Sequence, residues 1–343
     1  MTWFWIGFFA LVALLLGIDL GLLHRENKEE SFKSAVGWTI GWVALGLSFA
    51  GVVYLIYGNH WLGASMIGDR GRVASGGEAA MVYVSAYLLE EALSVDNIFV
   101  MSLLFGSFRV PARYQHRVLF WGILGAIFFR VAMLGGGALL VKKFTWIFYV
   151  FGAYLVWQGL KLFKGDDDEE ASHLERSFAV RILRRVVRVV EGDHGGKFLV
   201  RDSHGHRALT TLAVCLFVVE ITDVVFALDS IPAVLAVSQE TFIMVTSNIF
   251  AILGLRSLYF VLAGAMAKFQ YLKIALAVLL ILIGGKMLAH DLYHMPHWLS
   301  LTLIAGILFV GVVASIIASR RADDEPAPAG AGAAAERKNE PQA

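Results

Sequence analysis

Nine runs of the chain are long and apolar enough to cross a bilayer, and shorter polar stretches separate them. They lie near residues 3–23, 35–57, 79–105, 117–140, 144–163, 209–235, 242–265, 271–290 and 298–319. A crossing helix needs about 20 mainly apolar residues. Lipid also offers no partner to an unpaired backbone group, so a helix that closes its own hydrogen bonds is favoured. The pattern predicts an all-α fold, a polytopic membrane protein of nine transmembrane helices. The first run, TWFWIGFFALVALLLGIDLGLL, has no basic start and no small-residue cleavage site. It reads as a retained span and not as a signal peptide.

Two segments fall outside this pattern. Residues 164–208 form a polar loop that opens with GDDDEE and continues with SFAVRILRRVVRVV. That middle run predicts a basic amphipathic helix on a membrane surface. The loop closes with KFLVRDSHGHRALT, which reads as a short hairpin around His204 and Gly205. Residues 320–343 are rich in Ala, Pro and charge and predict a disordered tail. The membrane domain is thus expected over 1–319.

Charge fixes an expected orientation. Counted with the span edges they adjoin, 21 of the 29 Lys and Arg residues fall on the side of the loops after spans one, three, five and seven and of the C-terminus. Only four fall on the other side, and four lie within spans. Basic loops stay in the cytoplasm, so the N-terminus is expected outside and the C-terminus inside, in a bacterial inner membrane. The formal net charge is +1, which gives no overall field for a nucleic-acid partner. A single cysteine, Cys215, excludes a disulfide framework within the chain and a Cys-based zinc site. The sequence shows no HExxH motif and no phosphate loop, so no enzyme and no resident cofactor are expected.

The chain also repeats itself. EEALSVDNIFV from Glu90 and DVVFALDSIPA from Asp223 align without gaps, so Glu90 matches Asp223, Asp96 matches Asp229 and Asn97 matches Ser230. The next spans share ILG at 123–125 and 252–254, and the ones after share Gly-x-Lys at 159–161 and 284–286. The units, 79–163 and 209–290, hold three spans each, and an odd number inverts the second unit relative to the first. Inverted repeats with a site near the midplane are a transporter architecture.

The chemistry concentrates in spans three and six, which carry Glu90, Glu91, Asp96, Glu220, Asp223 and Asp229. An acid at the bilayer centre costs about 3 kcal/mol on insertion scales, so six approach about 18 kcal/mol as an upper figure. Hard divalent cations are matched by carboxylate, amide and hydroxyl oxygens. Asn97, Ser230 and Asn248 supply the neutral donors, and Asp19 of span one is a further candidate. Helical spacing places Glu90 and Asp96 on different faces, about 9 Å apart along the axis. Glu90 and Asp223 are therefore expected in a central layer, with Asp96 and Asp229 displaced toward opposite sides. Pro232 suggests a break or kink in span six. The alternative is structural ion pairing with Arg130, Arg256, Lys161 and Lys286, of which Arg130, Arg256 and Lys286 are the gating or ion-pair candidates. The bases lie away from the densest acidic run in sequence, which favours the cation. HDLYHMPH at 290–297 reads as an ordinary polar loop before it reads as a metal-release site.

The strings ITDVVFALDSIPAVLA and TFIMVTSNIFAILGLRSLYFVLAG resemble the TerC family signature, and SVDNIFV, VPARYQHRVLFWGILGAIFFR and FGAYLVWQGLKL resemble its Alx-type N-terminal half. The resemblance runs from about residue 3 to 319. It implies a nine-span membrane protein linked to Mn2+ export, to alkaline-pH response and to tellurite resistance. It implies intramembrane roles for Glu90, Asp96, Glu220, Asp223 and Asp229. The expected function is a secondary transporter that exports a divalent cation, Mn2+ first, coupled to protons. The other expectation is an accessory protein that handles metal or assists membrane assembly without turnover.

Overall fold

A computed structural model describes residues 2–23, 32–61, 73–164, 188–190, 192, 194–201, 205–263, 270–292 and 295–324. Among them are nine helices: α1 Thr2–Leu23, α2 Phe32–Gly58, α3 Gly76–Ser107, α4 Ala112–Lys143, α5 Trp146–Lys164, α6 Thr211–Val237, α7 Thr241–Ala263, α8 Gln270–Leu288 and α9 His297–Asp324. Each falls on one of the nine apolar runs. Eight are long and apolar enough to span a membrane. The other is α3: every 18-residue stretch of it includes at least three of Glu78, Glu90, Glu91 and Asp96.

The ends follow local chemistry. Ser75 and Glu78 form a reciprocal cap on α3, the Ser75 hydroxyl accepting from the Glu78 N–H at 3.2 Å and the Glu78 carboxylate from the Ser75 N–H at 2.8 Å. Thr210 caps α6 by accepting from the Ala213 N–H at 3.3 Å. α6 runs through Pro232 without interruption, so the expected break is not there. α9 continues to Asp324, which moves the expected start of the tail from 320 past the helix.

The fold is not purely helical. Strands β1 Val189–Val190, β2 Leu199–Arg201 and β3 Arg207–Thr210 make a small sheet in the order β1-β3-β2. β2 and β3 pair antiparallel, the hairpin expected from the end of the loop, while β1 joins parallel to β3. Val189 and Val190, expected at the end of an amphipathic helix, are therefore strand. Two β-branched residues beside an open edge gain ladder hydrogen bonds that a fraying helix end lacks. Arg188 before them is neither helix nor strand, while residues 177–187 of that expected helix, the GDDDEE segment, His204 and residues 325–343 lie outside the described residues.

α7 sits at the centre, buried along most of its length and packed against α2, α3 and α4. An aromatic knot of Phe8, Phe49, Phe242 and Phe250 joins α1, α2 and α7, with Phe49 and Phe250 centroids 4.7 Å apart. α3 packs on α7, α4 on α6, and α5 on α8. The last contact is the most intimate. A Cβ built on Gly284 would stand 2.6 Å from the Gly152 carbonyl, and one on Gly159 would stand 2.8 Å from the Ala277 carbonyl. Small residues let membrane helices approach to backbone contact in this way.

Candidate functional site

Two polar groups form where α3, α4, α5 and α6 meet. In the first, Arg130 of α4 lies between Glu90 of α3 and Asp223 of α6, at 1%, 0% and 2% exposure. Its Nε and Nη2 donate to the two Asp223 oxygens at 3.2 and 2.8 Å, and its Nη1 pairs with Glu90 Oε1. The fork geometry of guanidinium suits this two-point grip on Asp223. Glu90 and Asp223, matched in the repeat, thus meet through a single arginine that stands between them. The expectation that the bases lie away from the acids is corrected at this point. Separation along the chain hides the contact because α4 folds back against α6.

The second group lines a small, partly open cavity between α3, α5, α6 and α8. Its walls pair the repeat position by position: Leu93 with Phe226, Asp96 with Asp229, Asn97 with Ser230, each pair separated by 133 positions. Asp96 and Asp229 were expected on opposite sides of the central layer and instead line one cavity. Tyr154 donates to Asp229 Oδ1, and Gln158 Nε2 donates to Oδ2 at 3.0 Å. Asn97 and Ser230 are buried, and the Ser230 hydroxyl has no hydrogen-bond partner among the described residues. Two carboxylates, an amide and a hydroxyl suit a hard divalent cation that keeps some of its water. No group of three or more Asp, Glu, His or Cys side chains fit to hold a metal ion occurs among the described residues. A cation here would therefore draw on neutral oxygens as well as carboxylates.

The other candidates lie apart. Glu220 faces α4 at Gly125, where any Cβ would overlap its carboxylate. Glu91 accepts from the Tyr87 hydroxyl at 2.6 Å and lies 3.8 Å from the place of a Gly254 Cβ. Each repeat thus turns an acid toward the ILG glycine of the other. Asp19 pairs with Arg256 at 2.5 Å, both buried. Asn248 is buried, and neither of its amide atoms has a hydrogen-bond partner among the described residues. Lys286 donates to Ser300 at 3.3 Å. His290 lies beside Asp291 at 3.2 Å, while His294 is outside the described residues.

Spacing alone did not find Tyr154, Gln158 or Tyr87. In an apolar run a Tyr or Gln reads as tolerated polarity, and only the fold shows which acid it meets. Nor did it find Glu240, in the turn before α7. The Tyr57 hydroxyl donates to it at 3.2 Å. Burial raises the Glu240 pKa above the ordinary glutamate value, while the Tyr57 hydrogen bond and Lys142 pull it back.

Ionisable residues enclosed by long apolar helices define a class: a helical membrane protein with a polar interior. Residues 75–323 match the model of the "Integral membrane protein TerC family". The chain is 42% identical over 325 residues to "Uncharacterized membrane protein STKORF319" of Myxococcus xanthus, covering 95% of each chain. It is 42% identical over 313 residues to "Putative membrane-bound redox modulator Alx" of Photorhabdus laumondii, covering 91% of this chain and 94% of that one. The protein of the same printed name in Escherichia coli K12 is 40% identical over 322 residues, 94% of this chain and 96% of that one. No solved structure matches. The chain belongs to the TerC family of integral membrane proteins.

Proposed function

We propose that this protein is a secondary transporter that carries a divalent cation, Mn2+ in the first place, out of the cytoplasm in exchange for protons. The observation that carries this reading is the cavity where Asp96 and Asp229, with Asn97 and Ser230, meet from matched positions of α3 and α6. A buried acid in a membrane helix is costly unless it serves a pathway. Carboxylates that bind metal in one state and protons in another give a route to exchange.

In this reading α3 also crosses the membrane and brings the spans to nine, its acids being the cargo's ligands, and the two three-helix units are inverted repeats. The α5–α8 seam supports the inversion. Shifting Gly152 and Gly159 by 125 positions gives Ala277 and Gly284, so the contact Gly152–Gly284 maps onto Ala277–Gly159, which is the other contact of the seam. A two-fold relation between the units has this property. The basic loops support a C-terminus on the cytoplasmic side of a bacterial inner membrane, and the partners in this reading are lipid, metal ion and protons.

Purified protein in proteoliposomes tests the reading. Mn2+ flux driven by a pH gradient is expected from the wild type, and Asp96→Asn and Asp229→Asn should each abolish it while leaving expression intact. Unchanged flux in both variants defeats it. The printed name of the Alx relatives, "Putative membrane-bound redox modulator", mentions no transport, and a second reading is an accessory protein that handles metal or assists membrane assembly without turnover. Metal binding without counterflow supports that one. A dithiol couple within the chain is not available to it, because Cys215 is the single cysteine.

A further inference from the structure

We propose that Arg130 is a tethered competitor of the transported ion: it occupies Glu90 in the resting state and yields it to a divalent cation while staying anchored on Asp223. The inference rests on the transport reading and adds to it a second station and an asymmetry between matched residues.

The contacts divide the labour. Asp223 takes two guanidinium nitrogens, at 3.2 and 2.8 Å, and Glu90 takes a third. A two-point grip holds orientation as well as charge, so Asp223 is the anchor and Glu90 the arm that exchanges. Glu90 is also the less satisfied of the two. Its Oε2 has no hydrogen-bond partner among the described residues. The Ser94 hydroxyl, one turn along the same face of α3 and buried, has none either. A guanidinium has no acceptor and cannot lose its proton in a protein. It therefore acts here as a fixed positive charge, removable from Glu90 by movement alone. One guanidinium cannot balance two acids when both are ionised, and in that state the cluster attracts a second cation. The repeat does not require this arrangement. Glu90 and Asp223 are matched by sequence, but one arginine serves both, and it comes from the first unit.

The inference separates Glu90 from Asp223 by experiment. In detergent, Mn2+ binding to full-length Arg130→Gln is expected to tighten on the order of tenfold over the wild type, because the competitor is gone. Its thermal midpoint should fall without metal and recover as MnCl2 is added. Adding Glu90→Gln to that variant should remove both gains. Glu90→Gln alone should unfold like the wild type, keep Mn2+ binding at the Asp96–Asp229 cavity and lose flux. Asp223→Asn should destabilise the fold, since it strips the anchor from a buried guanidinium. An Arg130→Gln protein whose Mn2+ affinity and metal response equal the wild type overturns the inference. Should that variant fail to fold, Arg130→Lys decides: an ammonium lacks the fork that grips Asp223 and spans to Glu90, so it competes less well, the variant should bind Mn2+ more tightly than the wild type, and equal affinity overturns the proposal. Failure of the transport reading looks different: the wild type would then show no pH-driven Mn2+ flux, or Asp96→Asn and Asp229→Asn would leave that flux untouched, whatever Arg130 does.

Discussion

Asp19 and Arg256 show what a buried charge costs when its partner is taken away. They pair at 2.5 Å between α1 and α7, both nearly out of reach of solvent. Removing one member leaves the other charge buried, a loss of about 3–5 kcal/mol. Asp19→Asn should lower the thermal midpoint in detergent, and Asp19→Asn with Arg256→Gln should recover part of that loss. A double variant no better than the single would show that the pair does not act as a unit. At this scale the sequence revealed which residues carry charge but not which ones meet. Asp19 and Arg256 are 237 positions apart, and only the packing of α1 along α7 joins them. Arg130 was visible as a base within a span, yet its place between Glu90 and Asp223 depends on how α4 folds back, which no spacing rule contains.

Adjacent glycines of α8 make a sharper test at the scale of an element. Gly284 lies against the backbone of α5, while a Cβ on Gly285 would meet nothing within 4 Å. Gly284→Ala should therefore push the two helices apart, destabilise the protein and reduce its yield. Gly285→Ala should be neutral or stabilising by up to about 1 kcal/mol, the helical preference of Ala over Gly. Thermal melts of the two variants side by side decide the matter, and equal effects would refute the close contact. The helices themselves were legible because lipid imposes a length and a composition on each of them. Their ends were less so. Asp324 continues α9 into charged sequence, and β1 takes two valines from a run with helical amphipathicity. At β1 a neighbouring strand, and not the pattern of side chains, decides the structure.

The whole molecule couples distant ends through Glu240. It sits between α6 and α7, bonded to Tyr57 of α2, with Lys142 of α4 close enough to act on its charge. Burial, the largest influence, raises its pKa in the folded state above the unfolded value. A raised carboxylate gives stability that is full below the unfolded pKa and is lost as pH rises through the folded one. Wild-type melts should therefore lose a component of stability across that window, and Glu240→Gln should flatten it. A Gln variant with the same pH slope as the wild type would exclude Glu240 as its source. The internal repeat was the most informative feature in the sequence at this scale, since it named Asp96 with Asp229 and Asn97 with Ser230 before any contact was known. It could not show that the four share a wall, because matched positions on two helices coincide in space only where those helices cross.

The glycine seam between α5 and α8 has a mechanical consequence. Where backbone meets backbone, with Val156, Ile281 and Met287 packed close beside it, little room is left to slide or repack, so this is a place where α5 and α8 resist shear. Any rearrangement that opens the cavity to one face and then to the other must leave the seam in place, as a rocker leaves its fulcrum. On the transport reading proposed above, a covalent staple across α5 and α8 at this level should leave Mn2+ flux intact, whereas one clamping α3 to α6 beside the cavity should stop it.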